Sequence, residues 1–133
     1  MLDHKITQDT QSFLNDFGAA LSAGYIAKVK DMFTADCYWR DLVSFTWNIK
    51  TLEGQDQVGD MLSAQLAHIE PSQWELDENE VPSDEDGIVT AWFRFETKVG
   101  RGYGLMRLKE GKIWTLLTTL VELKGHEEPK GFQ

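Results

Sequence analysis

The apolar residues of this chain change period partway along it, and that change limits the fold more than any other feature. Up to Ile69 they recur at helical spacing. Phe13, Leu14, Phe17, Ala20 and Leu21 mark one helix, with Thr10 as its expected N-cap and Gly24 as its stop. Ile26, Val29, Met32 and Phe33 continue on a short second helix. Val58, Met61, Leu62, Gln65, Leu66 and Ile69 mark a third, which begins after Gly54 and ends before Pro71, because the residue preceding a proline disfavours helix. Between the second and third helices, Cys37 to Asp41 alternates in strand fashion. That alternation puts Cys37, Trp39 and Asp41 on one face, and Tyr38 and Arg40 on the other. Leu42 to Thr51 reads as a loop followed by a short strand. From Gln73 onward the period is two. Trp74 and Leu76 alternate with acids, Pro82 to Gly87 supplies a turn, and three strands follow over Ile88 to Thr97, Tyr103 to Lys109 and Lys112 to Leu123. Three N-terminal helices and four to six strands, segregated in this way, imply an α+β fold in which a curved antiparallel sheet wraps around the helices.

Composition adds bounds. A length of 133 residues with 41% hydrophobic content suits a single domain, residues 1–133, built on one core. Residues from about 124 onward read as a loose tail. No apolar run approaches the roughly 20 residues needed to cross a bilayer, and the polar opening, Met1 to Thr10, is unlike a secretory signal. Cys37 is the only cysteine, so no internal disulfide forms; this fits a reducing cytoplasm, and the thiol reads as buried and inert. A net charge of -9 argues against nucleic acid and anionic membranes as partners. Glu75, Asp77, Glu78, Glu80, Asp84, Glu85 and Asp86 read as a solvated strand edge and loop that resists edge pairing, with a cation site or a basic partner as the other reading.

A sheet covered by helices on one side should be polar on its other face. Here both faces of the late strands are apolar. Trp114, Leu116, Thr118 and Leu120 lie on one side of the last strand, with Ile113, Leu117 and Val121 on the other; Trp92 joins the second set from the preceding long strand. The expectation is a homodimer through the outer sheet face.

Asp41 is the residue with most to offer chemically. A hydrophobic pocket could make it a general base. Alternatively it pairs with Arg40 or Arg94, or caps the segment that follows it. His4, His68 and His126 show no paired ligand spacing, so no metal site is expected. Gly100-Arg-Gly-Tyr-Gly104 leads into a strand rather than a helix, which reads as a tight turn or bulge at the sheet rim, not a phosphate cradle.

Phe17-Gly-Ala-Ala-Leu-Ser-Ala-Gly24, the short helix after it, and Asp36-Cys-Tyr-Trp-Arg-Asp41 resemble the opening of the cone-shaped fold of the nuclear transport factor 2-like superfamily, as found in ketosteroid isomerases and SnoaL-like polyketide cyclases. The resemblance implies a cone enclosing an apolar pocket lined by Phe17, Trp39, Asp41, Leu62, Phe93, Phe95, Leu116 and Thr118. It also implies a small apolar or aromatic ligand and isomerase-, cyclase- or lyase-type acid–base chemistry, since Asp41 falls on the isomerases' catalytic base. That family holds its dienolate with two donors. The tyrosine of the pair falls on Phe17, and matching Leu105-Met-Arg-Leu108 puts Gly104 at the acid. Losing one oxyanion donor costs on the order of 100-fold or more in rate, so the loss of both argues against steroid isomerisation.

Four further runs carry a second likeness: Trp39-Arg-Asp-Leu-Val-Ser-Phe-Thr-Trp47, Gly100-Arg-Gly-Tyr-Gly104, Trp114-Thr-Leu-Leu-Thr-Thr119 and Glu122-Leu-Lys-Gly-His-Glu-Glu-Pro129. They resemble the SnoaL-like domain that precedes the flavin- and NADP-binding region of a group of bacterial and fungal monooxygenases. This implies, as the alternative to an acid–base enzyme, a non-catalytic ligand-binding or dimerisation module associated with a flavin-dependent monooxygenase. The chain carries no GxGxxG motif, and no cofactor is expected.

Overall fold

A computed structural model describes residues 2–42, 44–46 and 49–124, with side chains from residue 5 onward. The elements run α1 (Leu2–Ala23), α2 (Ile26–Asp31), β1 (Phe33–Leu42), β2 (Ile49–Glu53), α3 (Gly54–Ile69), β3 (Ser72–Leu76), β4 (Ser83–Glu85), β5 (Ile88–Glu96), β6 (Gly100–Lys109) and β7 (Lys112–Leu123). The expected α+β cone is present, with three helices against one curved sheet of seven strands.

α1 ends where the sequence stops it. Gly24 has φ +73°, and the Gly24 and Tyr25 amides donate back to Leu21 O and Ala20 O at 3.1 and 3.0 Å, a pairing that a left-handed glycine permits. Its start differs from expectation. Thr10 is not an N-cap but a mid-helix residue, buried, whose hydroxyl donates to Ile6 O at 2.6 Å. The acceptor four residues back satisfies that hydroxyl without ending the helix. α3 ends as expected: Glu70 takes φ 50° immediately before Pro71.

Along the sheet the order is β2-β1-β7-β6-β5-β3, with β4 on β5. All pairs are antiparallel except β1 with β7, which run parallel. A long connection through α3 and the other strands allows this, whereas a hairpin would not. The parallel register sets Trp39 beside Leu116, and Asp41 beside Thr118.

Gly100 closes the turn between β5 and β6, its carbonyl accepting from Thr97 N at 2.8 Å and its amide donating to Thr97 Oγ1 at 3.1 Å, and the register shifts between Arg101 and Gly102, so the turn and bulge expected at the rim are both present. Gly102 and Gly104 lie inside β6. Their reason is packing. A Cβ on Gly102 would stand 2.3 Å from Phe95 Cζ, and one on Gly104 would stand 2.4 Å from Phe93 Cζ. The two rings of β5 lie across a β6 surface stripped of side chains.

A second register shift, between Arg107 and Leu108, corrects the reading of β7. It turns Ile113 inward, where it is fully buried, and leaves Trp114 half-buried with the Lys109 ammonium over its ring at 5.4 Å. Ile113 is therefore core, not part of the outer face. Trp92, Leu117 and Val121 do keep that outer orientation, Val121 being 62% exposed. The acidic residues from Glu75 to Asp86 are exposed or half-exposed, as a solvated edge requires. No described helix is long and apolar enough to cross a membrane.

Candidate functional site

Strand alternation carries Cys37, Trp39 and Asp41 on the inner face of β1, and Thr118 meets them from β7. Asp41 is 0% exposed. Burying a carboxylate is costly unless donors replace its lost water, and five do. Oδ1 accepts from Ser44 Oγ at 2.5 Å and from Thr118 Oγ1 at 2.7 Å. Oδ2 accepts from Phe45 N at 2.9 Å, Thr46 N at 2.7 Å and Thr46 Oγ1 at 3.0 Å. Behind Thr118, Trp39 Nε1 donates to its hydroxyl at 2.8 Å, so a relay runs from the indole through the threonine to the carboxylate. A carboxylate offers about four lone-pair sites; all are engaged.

Neither arginine considered from sequence reaches Asp41. Arg40 sits on the outer face with its guanidinium 3.4 Å from Thr51 Oγ1, and Arg94 lies 3.8 Å from Glu78. Asp41 instead caps the segment after its own strand, the third of the roles open to it. Four of its five donors come from Ser44, Phe45 and Thr46.

The other residues expected to line a pocket, Phe17, Trp39, Leu62, Phe93, Phe95, Leu116 and Thr118, all face the interior and are all buried. They are packed against aromatic neighbours. Trp74 stacks on Phe95 at 4.9 Å, Phe33 stacks on Trp39 at 5.8 Å, and Phe17 meets Trp74 edge-on at 5.4 Å. Phe45, absent from the sequence-based set, sits among them, 5.0 Å from Trp39 and 6.0 Å from Phe95. A lone aromatic in a loop carries no periodicity, so no pattern could have assigned it inward. The Phe93 ring covers Gly104, leaving no space for an acid there.

Four cavities lined by described residues open elsewhere. One of about 620 Å³ lies between the helices, lined by Leu21, Ile26, Leu62 and Leu66 among others. Another, of about 600 Å³, lies on the sheet near Arg94, Phe95, Arg101 and Tyr103. None of them is lined by Asp41, Trp39 or Thr118. Burial pushes the Cys37 thiol up, away from nucleophilic behaviour. His68 is exposed on α3, the side chain of His4 and the whole of His126 fall outside the described residues, and no group of three or more metal-ligating side chains forms among those described.

No family model and no curated protein matches the chain. Solved structures do. An NTF2-like protein of unknown function from Cytophaga hutchinsonii aligns with TM-score 0.56 at 14% identity, over 84% of this chain and 89% of that one. An NTF2-like protein with a cystatin-like fold from Novosphingobium aromaticivorans aligns with TM-score 0.64 at 10% identity, over 86% and 80%. A de novo designed protein with a curved β-sheet aligns with TM-score 0.56 at 13% identity, over 86% of each chain. Such identities establish architecture alone. With three helices packed against one strongly bent sheet and these neighbours in space, the chain has the NTF2-like fold.

Proposed function

We propose that this domain binds a small apolar or aromatic molecule inside the cone, among Phe17, Trp39, Leu62, Phe93, Phe95, Leu116 and Thr118, and carries out no proton transfer with Asp41. The observation that carries this reading is the saturation of Asp41. A general base needs a lone pair directed at substrate, and all of Asp41's are taken by Ser44, Phe45, Thr46 and Thr118. The absence of donors at Phe17 and Gly104 supports the same conclusion, because abstraction without oxyanion stabilisation forfeits most of the rate.

The protein acts as a homodimer through Trp92, Leu117 and Val121 on the outer sheet face. The likeness of Trp39 to Trp47 and of Trp114 to Thr119 to SnoaL-like monooxygenase domains supports a flavin-dependent monooxygenase as its working partner. Tryptophan fluorescence titration with a panel of aromatic and steroid-like compounds tests the function. Binding is expected, with each bound compound recovered unchanged. Turnover of any panel member, lost on Asp41→Asn, would refute the non-catalytic reading.

A further inference from the structure

All four arginines of this chain, Arg40, Arg94, Arg101 and Arg107, stand on outward positions of the sheet. Acids outnumber bases 22 to 13, yet Arg40 and Arg107 make no ion pair among the described residues. Strand register sets Arg40 at the end of a row that crosses the sheet. Trp92 stands beside Leu105, Leu105 beside Leu117, and Leu117 beside Arg40. Arg40 is exposed and the other three are half-buried. The row therefore runs aromatic, apolar, apolar, cation, with its midpoint between β6 and β7. That is also the midpoint of the sheet order β2-β1-β7-β6-β5-β3. We propose that the second copy of the homodimer is related by a two-fold axis along the strands between β6 and β7, so that Arg40 of each copy covers the Trp92 ring of the other. This rests on the homodimer inferred above and names the contact that sets its orientation.

The row is its own complement under that axis. Aligned sheets keep their strand directions within about 30° of each other and lie about 10 Å apart. β6 then lies over β7 of the second copy, and β5 over its β1. Leu105 meets Leu117 on both sides of the axis, and each end of the row brings a guanidinium to an indole. Trp92 is already held in place, stacked on Tyr103 at 5.5 Å with the ring planes 19° apart. A guanidinium over an indole face gains as water is excluded. Arg40 has no carboxylate to give up: its one hydrogen bond among the described residues is to Thr51 Oγ1 at 3.4 Å, a long contact. A two-fold running across the strands, along the row, would instead set Arg40 against Arg40. Like charges placed opposite each other at an interface are costly, so the chemistry of the row selects the axis along the strands.

Two such cation–π pairs together tighten the dimer on the order of tenfold, so Arg40→Met should raise its dissociation constant by about that factor in sedimentation. In a Trp92→Leu background the same change should have no further effect. Single cysteines test the orientation, since the native Cys37 is buried. Arg40→Cys and Trp92→Cys proteins, mixed and treated with a short bismaleimide, should give a cross-linked dimer, while neither does so alone. Positions 40 and 92 face each other across the proposed interface, and the mixed dimer keeps one native Arg40–Trp92 pair. The two copies of position 40 lie about 17 Å apart, three strand spacings sideways and one sheet spacing up. Cross-linking of Arg40→Cys alone as readily as of the mixture would put the axis across the strands and overturn the proposal. So would an unchanged dissociation constant for Arg40→Met. Wild-type dimerisation with no cross-link in the mixture would overturn this orientation and leave the homodimer standing. A wild type that is monomeric at tens of micromolar would remove both. Should Trp92→Cys not fold, Arg40→Met decides, because Arg40 is exposed and its replacement leaves the core untouched.

Discussion

Replacing Asp41 separates a scaffold residue from a working one, because the two roles predict opposite signs in stability. Asp41→Ala deletes the acceptor of five hydrogen bonds. Thr46 is only half-buried and its groups recover water; the Ser44 and Thr118 hydroxyls can rotate. Phe45 N cannot, and it is buried with its ring. Stranding that amide and one hydroxyl, at about 1–3 kcal/mol each, gives a loss of about 3–5 kcal/mol. Asp41→Asn keeps the shape. Its oxygen can serve the Phe45 and Thr46 amides while its NH₂ turns toward Ser44, so about 1–2 kcal/mol is expected. In urea, with a slope of about 2 kcal/mol per molar, the alanine variant's midpoint should fall by roughly 2 M and the asparagine variant's by less than 1 M. Circular dichroism and tryptophan fluorescence both follow the transition, since Trp39 and Trp74 lie in the affected core. Residues kept for chemistry behave otherwise, and removing them is neutral or stabilising. An Asp41→Asn protein as stable as the wild type, or more so, would refute the scaffold argument.

Gly102→Ala and Gly104→Ala should each destabilise by about 1–3 kcal/mol, Gly104 more, since its added Cβ meets Leu117 O at 2.5 Å as well as the Phe93 ring; thermal melts check the order. Gly104→Asp should not fold stably, so the isomerases' acid cannot be reinstated by one substitution. Tyr103 should titrate with a midpoint pushed up to about 12, by partial burial first and then by its hydrogen bond to Asp77 and that group's charge. A raised pKa contributes stability below the ordinary tyrosine value of about 10, and this is lost as pH rises through about 12. Absorbance at alkaline pH should show Tyr103 ionising late, and earlier in Asp77→Asn. Leu117→Arg should yield a monomer by sedimentation at tens of micromolar, because a charge buried unpaired between two sheets costs about 3–5 kcal/mol; a surviving dimer would exclude that face.

Much of the architecture was legible from period alone. Helical spacing located α1, α2 and α3, and Gly24 and Pro71 marked where helices stop, since backbone geometry at glycine and proline is a local property. Alternation placed Trp39 and Asp41 inward on β1 for the same reason. Where a choice depended on a distant partner, the sequence was silent or misleading. Thr10 looked like a cap until its hydroxyl found Ile6 O inside a longer helix. Ile113 changed faces because a register shift against β6 inserted Trp114. Gly102 and Gly104 make no turn; they clear room for Phe95 and Phe93. Asp41 shows the division most plainly. Its strand and its inward face could be read from five residues, but its chemistry was decided by Thr118, 77 positions away, and by a turn with no periodic signal. Side-chain period is written along the chain, whereas hydrogen-bond partners are set by which strands the tertiary structure brings side by side.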